Sequence, residues 1–157
     1  MQKKIVLQKI TESVENELND LKKAYDATKD LVQSGDIKNE GKYDTRATEA
    51  NYLADGQRHR IYDLEHDLEL LNEVDLNHTD GTVSIGSLVD FEHNGLTKRY
   101  FIAPTAGGTM VEVDGEAILV ISVFSPLGDT SLGLEVGESF ELEINGSTRE
   151  YSIKYIE

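Results

Sequence analysis

Asp36, Glu40 and Asp44 stand at intervals of four in the stretch SGDIKNEGKYDTR, residues 34 to 46. Any helical continuation there puts the three carboxylates on one face, with Lys38, Lys42 and Arg46 on the other. Carboxylate oxygens are the donors that Mg²⁺ prefers, and Mg²⁺ typically takes only one or two of them, leaving the other positions to water and phosphate. Such a set is incomplete by itself, so the sequence predicts no independently bound metal. The same composition, with Gly35 and Gly41, also suits a solvated polar turn. The other candidates for chemistry carry less. His59, His66, His78 and His93 include no pair at the i, i+4 spacing of a helical zinc site, and read as surface histidines. Gly107 and Gly108 precede no helical pattern that would offer an N-terminus to phosphate, and read as a plain turn. The sequons at Asn77 and Asn145 have little weight in a chain whose start, MQKKIVLQKI, is too short and too quickly polar for an export signal.

Composition narrows the classes. No cysteine is present among the 157 residues, which excludes disulfides, thiolate metal sites and cysteine nucleophiles. A net charge of −15 opposes unaided binding to a phosphate backbone, which lysine and arginine drive by displacing counterions. Nucleic acid is therefore expected only within a complex with a partner. Residues 1–75 hold 11 basic and 17 acidic side chains and residues 76–157 hold 4 and 13, so nearly all the cations lie in the first half. Lys22, Lys23, Lys29, Lys38, Lys42, Arg46, Arg58 and Arg60 read first as a solvated helix face, and second as a surface for an acidic or nucleic-acid-bearing channel in a partner. No apolar run approaches the roughly 20 residues that span a bilayer. The expectation is a cytoplasmic monomer with no membrane association.

Two hydrophobic periods divide the chain. Leu7, Ile10, Val14, Leu18, Leu21, Tyr25, Thr28 and Val32 recur at steps of three and four, which predicts a first helix. Tyr43, Ala47, Ala50, Ala54, Gln57, Ile61, Leu64, Leu68 and Leu71 alternate steps of four and three, which predicts a second helix with a coiled-coil seam. The short connection favours an antiparallel hairpin over residues 1–75, with arms of about 45 Å at 1.5 Å per residue and an acidic tip near 35–44. From Val83 the pattern turns to short apolar runs punctuated by Asn94-Gly95, Gly107-Gly108, Asp114-Gly115 and Asn145-Gly146, which predicts strands and hairpins over residues 76–157. Residues 72–81 read as a linker, and a short helix or turn is expected around 129–134.

The tip and the C-terminal half together resemble the bacterial Gre transcript-cleavage factors. The family's tip reads approximately Gly-Asp-Leu-x-Glu-Asn-x-Glu-Tyr, against Gly35-Asp36-Ile37-Lys38-Asn39-Glu40-Gly41-Lys42-Tyr43 here. Its C-terminal signature is close to Ile-Ser-x-x-Ser-Pro-x-Gly, followed by Leu-Gly and Gly-Asp. This chain has Ile121 to Gly128 as ISVFSPLG, then Leu132-Gly133, Gly137-Glu138 and the closing Arg149 to Ile153. The resemblance implies an α+β fold, an N-terminal antiparallel α-helical coiled-coil hairpin followed by a C-terminal FKBP-like antiparallel β-sheet domain. It implies RNA polymerase as partner, with the globular domain at the rim of its secondary channel and the hairpin reaching the catalytic centre. There, tip carboxylates, drawn from Asp36, Glu40 and Asp44, support the second Mg²⁺ (Asp36 and Glu40 as its ligands) while the polymerase cleaves a backtracked transcript. The factor is then a stimulator of the polymerase's own endonuclease and not an enzyme. Asp36 matches the first family acid, but Asn39 stands where the second is expected. Aligned backwards from Arg60-Ile61, Glu40 falls on the first acid, with Tyr43 or Asp44 near the second, and both registers remain open. Asn39 motivates the alternative of a non-cleaving homologue that occupies the channel and modulates or inhibits the polymerase. A proline isomerase is a third reading, for which Phe91, Phe101, Phe124 and Phe140 with tyrosines would have to line an apolar pocket.

Overall fold

In a computed structural model, which describes residues 2–33, 46–78 and 80–157, two long helices precede a six-stranded sheet. Helix α1 runs Gln2–Gln33 and α2 runs Arg46–Asn72. They are antiparallel: Lys3 Nζ, at the start of α1, donates to Leu76 O just past the end of α2 (2.7 Å), and Glu17 meets Arg60 midway along each helix (2.9 Å). The predicted seam of α2 is the face turned inward. Ala50, Ala54, Gln57, Ile61 and Leu68 are partly buried and Leu64 and Leu71 fully so, while Tyr52 and Tyr62 face solvent. Tyr43, also assigned to this seam, lies outside the described residues.

The chain divides into two compact units, one formed by residues 13–68 and the other by residues 1–12 with 69–157. The first turns of α1 and the last of α2 thus fold with the sheet.

That sheet comprises β1 (Leu88–His93), β2 (Leu96–Ala103), β3 (Met110–Val113), β4 (Glu116–Ser122), β5 (Ser139–Ile144) and β6 (Ser147–Ile156), in the order β3-β4-β2-β1-β6-β5. Helix α3 (Pro126–Ser131) lies between β4 and β5. Three of the predicted turns close two-residue hairpins. Asn94, Asp114 and Asn145 take φ of 51°, 52° and 52°, each followed by a glycine at 77° or 78°, the two successive positive values a type I′ turn requires. One pairing departs from an all-antiparallel sheet: β2 and β4 run parallel, Arg99 beside Ile118 through Ala103 beside Ser122. The β3–β4 hairpin makes this possible, because β3 takes the edge and returns β4 alongside β2.

Both faces of the sheet are apolar. On one, Phe91 lies at the centre of an aromatic cluster, with ring centroids 5.3 Å from Tyr100, 5.3 Å from Phe140 and 6.4 Å from Tyr151. On the other, Leu88, Phe101, Ala103, Ile118 and Val120 are fully buried. The start of α1 lies against this second face: Arg99 Nη1 donates to Gln2 Oε1 (3.0 Å), and Lys9 Nζ donates to Glu112 O. Gln2, Val6 and Lys9 share one helical face, and Val6 and Ile10 are fully buried. Leu7, the expected first seam position, is only partly buried, because the sheet draws in the neighbouring Val6. Residues 73–78 and 80–87 are not a free linker. A Cβ on Gly86 would stand 2.9 Å from Asp75 O, so this backbone packs against the end of the hairpin too closely for a side chain. Gly86 also prevents the expected strand from starting at Val83, and β1 begins at Leu88.

Ile10 is fully buried and Ile5, five residues earlier and on the other side of the helix, is 41% exposed. Ile10→Ala should cost about 2–5 kcal/mol, and Ile5→Ala no more than about 0.5 kcal/mol. Urea denaturation checks this, and equal losses would show that α1 does not cover the sheet. Burial pushes the Tyr100 hydroxyl above its ordinary value of 10.0, with a smaller contribution from Tyr151. The stability this represents is complete below pH 10.0 and is lost as pH rises through the raised folded value. Tyr100→Phe should therefore flatten the alkaline fall of the melting temperature.

Candidate functional site

The acids singled out at the tip, Asp36, Glu40 and Asp44, lie outside the described residues, as do Lys38, Asn39 and Lys42. Among the described residues no group of three or more His, Asp or Glu side chains stands close enough to hold a metal ion. The basic residues along the hairpin are mostly engaged within it. Arg60 pairs with Glu17 at 2.9 Å, Arg58 with Asp55 at 2.9 Å and Lys22 with Glu65 at 3.5 Å, while Lys29 Nζ stands 5.6 Å from the Tyr25 ring centroid. All are exposed pairs of small energetic value. They fit the solvated-face reading and leave Lys23 as an unengaged cation among those described. Gln57 Oε1, on the seam of α2, is buried with no hydrogen-bond partner among the described residues.

The signature ISVFSPLG builds a tight corner at the end of β4. Ile121 and Val123 point into the core, and Val123 N donates to Ala103 O (2.8 Å), extending the parallel pairing one step past the strand. The chain then reverses on serines. Phe124 N donates to Ser122 Oγ (3.1 Å). Ser125 Oγ donates to Ser122 O (2.7 Å) and accepts from Gly128 N (3.1 Å), so the Ser125 hydroxyl ties strand end and helix start together as the N-cap of α3. Pro126 begins the helix where a missing N–H costs nothing. This capping starts α3 at Pro126, three residues earlier than the sequence pattern suggested.

Gly128 is fixed by space. A Cβ there would fall 2.1 Å from Ser122 O and 3.0 Å from its carbonyl carbon. The result of the corner is that Phe124 is held out from the surface, 84% exposed. Sequence reasoning grouped Phe124 with Phe91, Phe101 and Phe140 as lining for one apolar pocket. The four do not meet that way: Phe91 and Phe140 fill the core on one face, Phe101 is buried on the other, and Phe124 stands in solvent. Strand alternation carried past Val123 was the signal for this, since it turns Phe124 away from the core.

Beyond α3 the chain pairs with the segment before β1. Val83 N donates to Leu134 O and Gly133 N to Val83 O, both at 2.8 Å, and Thr82 bridges Glu135. Between these segments lies a hollow of about 430 Å³ flanked by the exposed side chains of Ile85 and Leu132, with Asp80 and His78 at its polar edge. The Asp80 carboxylate accepts from Thr82 N (2.9 Å), Thr82 Oγ1 (2.7 Å) and His78 Nε2 (2.7 Å). The Thr82 bonds are the main cause that lowers its pKa.

The sequence profile of the family described as transcription elongation factor, GreA/GreB, C-term, matches residues 78–157, just over half of the chain. The protein belongs to the GreA/GreB family of transcription elongation factors. Among solved structures it is similar to GreA factor homolog 1 (Gfh1) of Thermus thermophilus, with 19% identity over 94% of each chain and a TM-score of 0.39. It is similar to Gfh1 of Thermus aquaticus, with 20% identity over 95% of this chain and 92% of that one and a TM-score of 0.40. A GreA/GreB factor of Nitrosomonas europaea is 21% identical over 65% of this chain and 91% of its own, with a TM-score of 0.38. No curated protein matches the chain. No described helix is long and apolar enough to cross a membrane.

Gly128→Ala forces a Cβ against the Ser122 carbonyl, and should cost on the order of 1–3 kcal/mol. It should also release Phe124. A denaturation midpoint and a Phe124 environment, by NMR, that both match wild type would refute the corner as described.

Proposed function

We propose that the protein binds RNA polymerase in its secondary channel and stimulates cleavage of backtracked transcripts. Family membership over residues 78–157 carries this reading. The globular unit would dock at the channel rim, and the exposed Phe124 on its serine-capped corner is a suitable apolar contact, rigidly presented and not needed for the core. The hairpin would enter the channel and bring Asp36, Glu40 and Asp44 to the catalytic centre.

The donor set fits Mg²⁺ in chemistry: carboxylates only, few in number, and completed by the partner's own ligands and phosphate. Bound there, the ion supplies a lowered pKa for the attacking water and charge stabilisation for the leaving oxygen. Asp36 and Glu40 are the residues proposed to hold it, with Asp44 near them, and the polymerase retains the active site. The tip also faces a centre rich in like charge, so its carboxylates are repelled unless a shared cation offsets them. Binding of the tip should accordingly strengthen with Mg²⁺. The protein would be a cofactor-like stimulator with no activity alone.

One observation favours a second reading. Asn39 has no charge and stands where the family's second acid is expected, which suits a homologue that fills the channel without promoting cleavage.

The test is transcript shortening by purified, stalled and backtracked polymerase. Asp36→Ala and Glu40→Ala should each remove most of the stimulated cleavage while leaving polymerase affinity nearly unchanged. Asn39→Glu should raise cleavage if Asp36 and position 39 are the working pair, and change little if Glu40 and Asp44 are. Wild-type protein that competes for the channel yet shortens no transcript, even with Asn39→Glu, would establish the non-cleaving regulator.

A further inference from the structure

Residues 76–157 hold only four basic side chains against thirteen acidic ones, so the placement of each cation is informative. Arg99 and Lys154 lie on the sheet face that α1 covers, and both are paired. Arg99 grips Asp90 through two bonds of 2.7 and 2.9 Å and reaches Glu116 at 3.1 Å, and Lys154 stands 3.6 Å from Glu92. Lys98 and Arg149 lie on the opposite face. Neither has an acidic partner among the described residues, although the domain has acids in excess.

Strand register explains why. Lys98 sits opposite Phe91 on β1 and Arg149 opposite Leu142 on β5, and on β1, β2, β5 and β6 no acid shares their face; Glu112 on β3, level with Ala117 two strands from Lys98, is the acid of the sheet on that side. The acids of these strands, Asp90, Glu92, Glu141, Glu143 and Glu150, alternate to the other side. Between the two cations is a hollow of about 150 Å³ floored by Phe91, Tyr100 and Tyr151, with His93 stacked on Tyr151 at 5.0 Å. It adjoins a second hollow of about 390 Å³, walled by Leu119, Ala117 and Met110, which shares Lys98 and Tyr100 with the first; the acid at its edge, Glu116, is already neutralised by Arg99 at 3.1 Å. Leu96 and Met110 are 66% and 60% exposed along this course.

We infer that this groove is a second docking surface, at the hairpin-turn end of the sheet and away from the Phe124 corner, for an extended acidic and apolar segment of a protein partner. Charge complementarity decides the occupant. Two unpaired cations within an otherwise acidic domain select carboxylates and repel basic chains, and an aromatic floor continuing into an aliphatic wall takes apolar side chains between them. The groove crosses β6, β1, β2 and β4. Three inter-strand steps of about 4.8 Å make about 15 Å, the reach of four or five extended residues. A polynucleotide fits less well, since two cations cannot outweigh thirteen acids. The inference does not depend on the polymerase reading.

The test uses the full-length ¹⁵N-labelled protein and the peptide acetyl-Glu-Leu-Asp-Phe-Glu-amide, with acetyl-Lys-Leu-Lys-Phe-Lys-amide, acetyl-Glu-Gly-Glu-Gly-Glu-amide and a short oligothymidine as controls. Amide shifts should move at Phe91, Lys98, Tyr100, Arg149 and Tyr151 and stay fixed at Phe124. Lys98→Glu and Arg149→Glu should each weaken binding at least fivefold. Both side chains are exposed, so melting should be unchanged, and Lys98→Gln provides a milder variant with a smaller loss. The proposal is overturned if the acidic peptide does not bind or its shifts map elsewhere, if the charge variants bind it equally well, or if any control binds as tightly. Concentration-dependent self-association that moves the same amides would instead assign the groove to a second copy of the chain.

Discussion

Both faces of the six-stranded sheet carry fully buried apolar side chains, and after residue 80 the chain has a single helix of six residues with which to cover them. This is the constraint from which the rest follows. Helix α3 and its flanking loops cover part of the face of Phe91, Phe140 and Tyr151, through Leu127 and Leu134. The opposite face, with Leu88, Phe101, Ile118 and Val120, is closed by the first turns of α1, far away in sequence. Arg99 fastens that arrangement in polar terms, since its guanidinium binds Asp90 on β1, Glu116 on β4 and Gln2 on α1 with the Tyr155 ring 5.2 Å away. The fork shape of arginine makes this possible, since two of its N–H groups take both Asp90 oxygens in parallel while a third reaches beyond, a planar spread that the compact lysine ammonium lacks. Aspartate holds the guanidinium firmly protonated. The compact unit therefore includes residues 1–12 and begins again at 69, cutting across both helices.

The same constraint shapes the electrostatics. A charge of −15 spread over 157 residues opposes compactness, and the cations are placed where they offset it locally. Among the described residues of 13–68 most of them, Lys23 excepted, form exposed pairs across or along the helices. On the covered face of the sheet they form the tighter, partly buried pairs of Arg99. Lys98 and Arg149 stand outside this scheme, exposed and without an acidic partner among the described residues.

The Phe124 corner shows how a short motif can require several residue types at once. Ser122, Ser125 and Gly128 contact one another within seven residues: two hydroxyls replace backbone partners, and one missing Cβ lets the helix start touch the strand end. Family membership rests on this half of the chain, and the geometry gives the reason these particular residues occur together.

Local rules account for what the sequence determined by itself. Period 3.5 along Ala50 to Leu71 identified the buried face of α2, because side-chain direction on a helix is set by spacing alone. The dipeptides Asn94-Gly95, Asp114-Gly115 and Asn145-Gly146 identified three hairpins, because few residues accept two successive positive φ values. ISVFSPLG and the acids around the tip pointed to the family that the profile then established. What needed tertiary structure was every choice between faces and partners distant in sequence. Val6 rather than Leu7 turns inward because the sheet, and not only α2, lies against α1. β4 pairs in parallel with β2 because the edge position falls to β3. Phe124 lies in solvent although its composition matches Phe91 and Phe140, and Arg99 and Lys98, adjacent and alike in charge, meet opposite environments because a strand alternates. Such outcomes depend on which surfaces meet, and a linear pattern records the faces but not their neighbours.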